Sequence, residues 1–318
     1  MIRTYDVLAM GRSCIDLYAH EIGVPITGVR SFDAYVGGCP LNISVGTRRL
    51  GLRSALLTAV GEDQVAEFVL HFLEREGVET GFIAKKPGHR TSAVVLTIMP
   101  PDSFPLTYYR DNCADREMTI DDVRRAPVAD SAMLLVTGTG LSHEPARSAT
   151  FYAARTAREA GTRVLVDLDY RPDQWPNRTT FSEQMRSLLS RAHLVVGTEE
   201  ETRAAADTDH LEGAVAVVLK TGVEALVLKR GGAGATVFQA GTPHIDVAPF
   251  KIEVLNVLGA GDAFASGFIY GLRQGWPLDR AARIANAVGA IVVTRRACAN
   301  DMPTLQEVEA FVHEQGGW

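Results

Sequence analysis

The chain has 318 residues, 46% of them hydrophobic and 22% charged, which excludes disorder and collagen and is long enough to bury a full core. Lys and Arg number 32 against 38 Asp and Glu, a net charge of −6 with no block of like charges, so the footprint of a nucleic-acid binder is missing and a small molecule is the expected partner. No stretch approaches the ~18 apolar residues of a membrane span and no secretory leader pattern opens the chain, so a cytoplasmic location is expected.

Tyr5 to Met10 predicts a first strand, followed by a polar, turn-rich stretch to Gly37-Gly38. A helix over Pro40 to Leu50 is next, with Pro at its start and Leu41, Val45 and Leu50 on one face. Arg53 to Val60 predicts a strand, and Gln64 to Glu76 a helix closed by Gly77. Ser92 to Met99 and Leu106 to Arg110 are extended segments joined by Pro100-Pro101-Asp102-Ser103-Phe104-Pro105, which only a turn accommodates. From Ala132 the pattern alternates: strand Ala132 to Thr137, helix Glu144 to Ala160, strand Arg163 to Leu168, helix Thr179 to Arg191, strand His193 to Gly197. A strand at Ala225 to Lys229, a glycine cluster, a hairpin over Ala235 to Val247 and helices from Ala260 and Pro277 complete the chain. Such alternation predicts one α/β domain over residues 1–318, a parallel sheet covered by helices on both faces. A small β excursion is expected from insertions at ~12–38 and ~89–111. Cys14, Cys39, Cys113 and Cys298 are widely spaced with no C-x-x-C pair and read as buried or half-buried thiols.

The most informative segment is Gly259-Ala260-Gly261-Asp262, small residues ending an extended stretch at the start of an apolar helix. Exposed amides there would cradle an anion such as a phosphate, reinforced by the helix dipole. Asp262 is either ordinary favourable charge against that dipole or the base for a phosphoryl acceptor's hydroxyl. Gly37-Gly38-Cys39-Pro40-Leu41-Asn42 pairs close backbone approach with the Asn42 amide, as a tight turn or as a site for a hydroxyl-rich ligand. Asp16 lies just beyond the carboxyl end of the first strand, where open α/β sheets bind ligands, and is a candidate polyol contact.

Gly-Gly-x-x-x-Asn at 37–42, Leu50-Gly51, Gly61-x-Asp63 and Gly-Ala-Gly-Asp at 259–262 together resemble the ribokinase-like (PfkB) carbohydrate kinases across essentially the whole chain. The resemblance implies a three-layer α/β/α fold with a mostly parallel central sheet, a β-sheet lid over the sugar, ATP as donor with Mg²⁺, Asp262 as base and an anion hole from Gly259, Ala260 and Gly261. It also implies a metal partner at Glu200, from Gly197-Thr198-Glu199-Glu200, and nucleotide contacts at Lys229, Gly231, Gly234, Asn286 and Gly289. Members with a monovalent-cation site usually carry Asp-Thr ahead of the late motif; Asn256-Val257 stands there instead, so potassium activation is not expected. Lid sheets in this family often pair between subunits, which makes a homodimer the expected assembly.

Arg110, after the second lid strand, and Arg171, after a core strand, are the candidates for an acid-binding pair in the sugar cleft, because guanidinium forks bind carboxylates bidentately. Either could instead pair with a neighbouring Asp. The runs Tyr-Arg-Asp-Asn-Cys-Ala-Asp and Asp-x-Asp-x-Arg-x-x-x-Trp resemble most the branch of 5-dehydro-2-deoxygluconokinases of myo-inositol catabolism. The 2-dehydro-3-deoxygluconokinases, other sugar kinases acting on fructose or ribose, and a non-catalytic sugar-binding regulator stay open beside it.

Overall fold

Alternation within the strands decides the layering. In β1 (Tyr5–Met10) Val7 and Ala9 point one way and Leu8 and Met10 the other, and all four are buried, so both faces of this strand require cover. The computed structural model that shows this describes residues 3–100 and 103–317; Pro101 and Asp102 of the expected turn lie outside the described residues.

In chain order the further strands are β2 (Cys14–Ala19), β3 (Phe32–Gly37), β4 (Ser54–Val60), β5 (Ile83–Lys85), β6 (Ser92–Leu96) and β7 (Leu106–Tyr109). They continue with β8 (Ser131–Thr137), β9 (Arg163–Asp167), β10 (Leu194–Thr198), β11 (Ala225–Lys229), β12 (Ala235–Phe238) and β13 (Ile245–Val247). Nine form one sheet in the order β13-β12-β11-β10-β9-β8-β1-β4-β5, parallel from β11 to β5 and antiparallel at the β12 and β13 edge.

Helices α1 (Cys39–Arg49), α2 (Gln64–Glu76), α8 (Ala260–Arg273) and α9 (Leu278–Val292) cover the face of Val7 and Ala9, burying Leu41, Val69, Phe264 and Phe268 in one core. The face of Leu8 and Met10 is covered by α3 (Ile120–Arg125), α4 (Ala146–Glu159), α5 (Arg178–Leu189), α6 (Glu199–Ala206) and α7 (Leu211–Lys220), with Phe181 and Met185 at the centre. Full burial of each such large apolar side chain contributes roughly 1.5–3 kcal/mol. A last helix, α10 (Leu305–Glu314), packs Val308 and Val312 against α9. The three-layer α/β/α arrangement expected of the sequence is the one observed.

The remaining four strands make a second, smaller sheet, β3-β2-β6-β7, drawn from the two stretches expected to leave the main alternation. Its pairing is antiparallel except between β2 and β6, which run parallel. Asp63 ties this sheet to the core. One of its oxygens caps α2 by accepting from the Ala66 amide at 2.8 Å, and the other accepts from the Thr91 amide at 2.8 Å at the entry to β6. The inner face of the small sheet buries Cys14, Tyr18, Val94 and Leu96 with Cys298, and the Tyr18 hydroxyl lies 3.1 Å from Cys298 Sγ.

The elements with no sequence expectation are β5, α3, α6, α7 and α10. The α7 sequence carries three valines and a glycine, which weaken its helical pattern; its buried Ala214, Val215 and Val218 nevertheless fall on one face.

Candidate active site

The site is built where β1, β9, β10 and β11 end and α1 and α8 begin. Gly259, at φ +85°, is the N-cap of α8, and a Cβ there would lie 2.6 Å from Cys298 Sγ, so backbone strain and space both demand glycine. The turn brings Asp262 into the first turn of α8, where its carboxylate accepts from Asn42 Nδ2 at 2.7 Å. Burial pushes the Asp262 carboxyl above its ordinary range, partly offset by hydrogen bonds from Asn42 and Cys39. Asn42 is itself buried in the first turn of α1, and its Oδ1 has no protein partner, an orphaned acceptor suited to a ligand hydroxyl. Of the three amides expected to hold an anion, that of Ala260 already donates to the Val257 carbonyl at 3.2 Å.

Asp16 enters from β2. A Cβ on Gly37 would come within 2.0 Å of its Oδ2, so the first glycine of the Gly-Gly pair makes room for this carboxylate. Burial, opposed by the neighbouring Arg12, pushes the Asp16 carboxyl up to about 6. On the opposite wall Lys229 Nζ lies 3.1 and 3.2 Å from the two Asp167 oxygens and 3.8 Å from Glu201. Its ammonium stands beside Gly261, where a Cβ would sit 3.2 Å from Nζ.

Two cavities meet along this line. One, of about 180 Å³, is polar, with Asp16, Asn42, Asp169, Arg171 and Asp262 on its walls and Val94, Leu106 and Tyr108 of the small sheet above. The other, of about 310 Å³, is an apolar slot between Phe250, Ile252, Val254 and Val293, bordered by Asn286 and Gly289. Thr198, Lys229, Val257 and Gly261 line both, so the start of α8 is their junction.

The structure thus brings Asp16, Gly38, Asn42, Arg171, Gly259, Gly261 and Asp262 to the polar cavity, and Lys229, Gly231, Gly234, Ala260, Asn286 and Gly289 to the apolar one. Two expected residues are elsewhere. Arg110 is buried away from the cleft, its Nε and Nη2 on Asp115 at 2.8 and 2.5 Å and its Nη1 on Gln174 Oε1, so its fork is already committed to the protein. Glu200 is exposed on the outer side of α6 and lines neither cavity. Its neighbour Glu201 turns inward, accepting from the Thr198 amide at 2.7 Å, and the Thr-x-x-Glu spacing of that capping box was the available signal. Arg12, Cys39, Tyr108 and Asp167 also reach the polar cavity without having been singled out. Arg12 and Tyr108 carried a weak signal in strand alternation, because residues two apart share a face.

The model of the pfkB family carbohydrate kinases matches residues 5–305. A relative from Shouchella clausii named 5-dehydro-2-deoxygluconokinase is 35% identical over 98% of this chain and 97% of its own. Among solved structures, a Vibrio cholerae fructokinase in a fructose-, ADP- and calcium-bound form superposes with a TM-score of 0.85 at 26% identity, covering 96% of this chain and 98% of the other. A Xylella fastidiosa fructokinase with bound ATP gives 0.87 at 25% identity, with 98% of both chains covered. On a family match that spans nearly its whole length, the chain belongs to the pfkB family of carbohydrate kinases.

Proposed function

We propose that this kinase transfers the γ-phosphoryl group of ATP to the 6-hydroxyl of 5-dehydro-2-deoxy-D-gluconate, a sugar acid, with Asp262 as the base. The observation that carries the reading is the place of Asp262, fixed by Asn42 at 2.7 Å beside the junction of the polar and apolar cavities. A hydroxyl presented from the polar side gives its proton to Asp262 as its oxygen bonds to the γ-phosphorus; the bond from that phosphorus to the β–γ bridging oxygen breaks and ADP leaves. The start of α8, with the Gly259 and Gly261 amides, and the Lys229 ammonium stabilise the charge on the transferring group.

The apolar slot suits a flat adenine, and nothing lies within 4 Å of where a Cβ on Gly231 or Gly232 would be, which leaves room at its rim for a ribose. Mg²⁺ carried with ATP supplies neutralisation of the phosphate charge. Glu201, on the wall of the polar cavity beside Lys229, would border the ion's path, with the phosphates of the nucleotide as its main holders. The Asn256 amide donates to the Arg296 carbonyl at 2.9 Å and its Oδ1 accepts from the Leu258 amide at 3.1 Å, so no monovalent cation is needed to close this loop.

Asp16, Gly38 and Asn42 order the sugar hydroxyls, and Arg171 takes part in holding the carboxylate. The small sheet is the lid, whose closure excludes water that would otherwise hydrolyse ATP. Its outer face carries Ile15, Leu17, Ala34, Val95 and the exposed Phe32 and Tyr109, an apolar surface suited to the same face of a second copy, and the protein is a homodimer through it. Four free thiols fit a reducing cytoplasm, and among the described residues no helix is long and apolar enough to cross a membrane.

The test is a coupled ADP-release assay with Mg-ATP over 5-dehydro-2-deoxygluconate, 2-dehydro-3-deoxygluconate, fructose, ribose and a nucleoside. Strong preference for the first supports the reading. Turnover of 2-dehydro-3-deoxygluconate alone keeps a sugar-acid kinase but changes its acceptor, turnover of a neutral sugar alone removes the acid, and silence on all five would leave a sugar-binding regulator.

A further inference from the structure

Each cationic side chain near the cleft has an acidic partner within ion-pair distance except one. Arg171 Nε lies 3.0 Å from Asp169, Lys229 lies 3.1 Å from Asp167, and Arg110, behind the wall, is bound to Asp115. Arg12 is only 9% exposed, yet among the described residues it makes no ion pair within 4 Å. Its Nη1 donates to the Cys14 thiol at 2.9 Å, its guanidinium lies over the Tyr108 ring at 5.4 Å, and its Nε is buried with no partner. Asp16 and Asp115 act on this buried guanidinium only through space, so its hydrogen-bonding face meets a thiol and an aromatic ring and its Nε keeps no partner, a lost hydration that a bound anion would restore.

Strand geometry explains how Arg12 reaches the cleft. Arg12, Cys14 and Asp16 alternate along the entry to β2, so all three side chains lie on the inner face of the small sheet. Asp16 pairs in register with Val94 of β6, and Val94 with Tyr108 of β7, which puts Tyr108 on the same face. Tyr108 is within the electrostatic reach of both Arg171 and Arg12, and burial raises its pKa, so its phenol stays a proton donor. Two guanidiniums and a phenol therefore converge under the lid, on the side of the cleft away from the apolar slot.

We infer that Arg12 is a specificity-determining residue: its unpaired guanidinium, stacked on Tyr108 and flanked by Arg171, receives the carboxylate of the acceptor. This rests on the sugar-acid reading above and replaces Arg110 in it. The carboxylate end of the substrate then lies against the lid, its far hydroxyl reaches Asp262, and the acid completes the electrostatics of the lid strands as it binds. A neutral sugar of the same size would leave Arg12 without an anion, a form of rejection that needs no steric clash.

The experiment compares Arg12→Met, Arg12→Lys and Tyr108→Leu with the parent enzyme. The readouts are kcat and KM for 5-dehydro-2-deoxygluconate, and inhibition constants for D-gluconate and for the corresponding alcohol, glucitol. Melting temperature monitors folding. Arg12→Met is expected to raise KM for the acid by ~10- to 100-fold, the usual span for a charged hydrogen bond, with a smaller change in kcat and with glucitol inhibition little altered. Arg12→Lys keeps a charge but loses the fork and falls between; Tyr108→Leu gives the mildest loss. Equal weakening of gluconate and glucitol, or an unchanged KM for the acid, overturns the inference while leaving the sugar-acid kinase intact. A parent enzyme that phosphorylates neutral sugars and no sugar acid overturns the functional reading itself, and Arg12's role with it.

Discussion

The two cavities that meet at α8 are built on opposite principles. The apolar slot is walled by Phe250, Ile252, Val254 and glycines and contains few formal charges, so it selects by shape. The polar cavity holds Asp16, Asp167, Asp169, Glu201 and Asp262 against Arg12, Arg171 and Lys229, so it selects by charge and by which charges are already paired. A donor shared by many kinases suits the first kind of site, and an acceptor that must be distinguished from similar sugars suits the second. The difference teaches where to look for specificity: in charges that the protein leaves without a direct ion pair.

Substitutions should separate the two sides, and the largest effect belongs at their junction. Asp262→Asn is expected to lower kcat by ~10³-fold with the fold retained, measured by ADP release and circular dichroism. In the parent enzyme the acid limb of the kcat profile should lie above the ordinary carboxylate range, because burial raises the Asp262 pKa and a base must be unprotonated; activity is lost as pH falls through it. A near-parental rate for Asp262→Asn would remove it from the base role.

The paired and the cleft-facing arginines should then part company. Arg110→Ala breaks a buried pair and should cost about 3–5 kcal/mol in urea unfolding. Arg171→Ala should instead raise KM for the acid by ~10-fold or more, with a smaller loss of stability because the Arg171 side chain is partly exposed although Asp169 loses its partner. A result with these two phenotypes exchanged would put the acid-binding wall on the wrong side.

A smaller effect concerns Asp16. Folded, its carboxyl holds a proton up to about pH 6; unfolded, it releases it near the ordinary value of about 3.9. The folded state thus binds more protons between these values, and stability falls as pH rises from ~4 to ~6, by roughly 3 kcal/mol for this group. Asp16→Asn should remove that part of the pH dependence, read as the difference between the two unfolding profiles. The smallest expected effect is exchange of K⁺ for Na⁺, which should alter kcat less than ~2-fold if Asn256 closes its loop as described; a strong K⁺ requirement would contradict this.

The strongly periodic elements were legible in the sequence. β1, α2 and β11 run over Tyr5–Met10, Gln64–Glu76 and Ala225–Lys229, the spans their patterns predict, since each has one rule for its period and a clear stop. The Asn42 to Asp262 contact joins residues 220 positions apart; the motifs suggested both residues but nothing local could show that they bond. Arg110 failed because a guanidinium beside acidic residues reads alike whether it faces a ligand or, as here, Asp115. Glu200 failed by one position in a helix, a rotation of about 100° that turns a carboxylate from cleft to solvent. Arg12 was hidden because its meaning depends on what is absent around it, and only assembled structure shows that.

The most direct test of the central claim is the site of phosphorylation, read by proton-coupled ³¹P NMR of the product formed from 5-dehydro-2-deoxygluconate and Mg-ATP. Transfer to the 6-hydroxyl predicts a phosphomonoester resonance split into a triplet by the two protons on carbon 6. A doublet from a secondary alcohol, or inorganic phosphate alone, would contradict it.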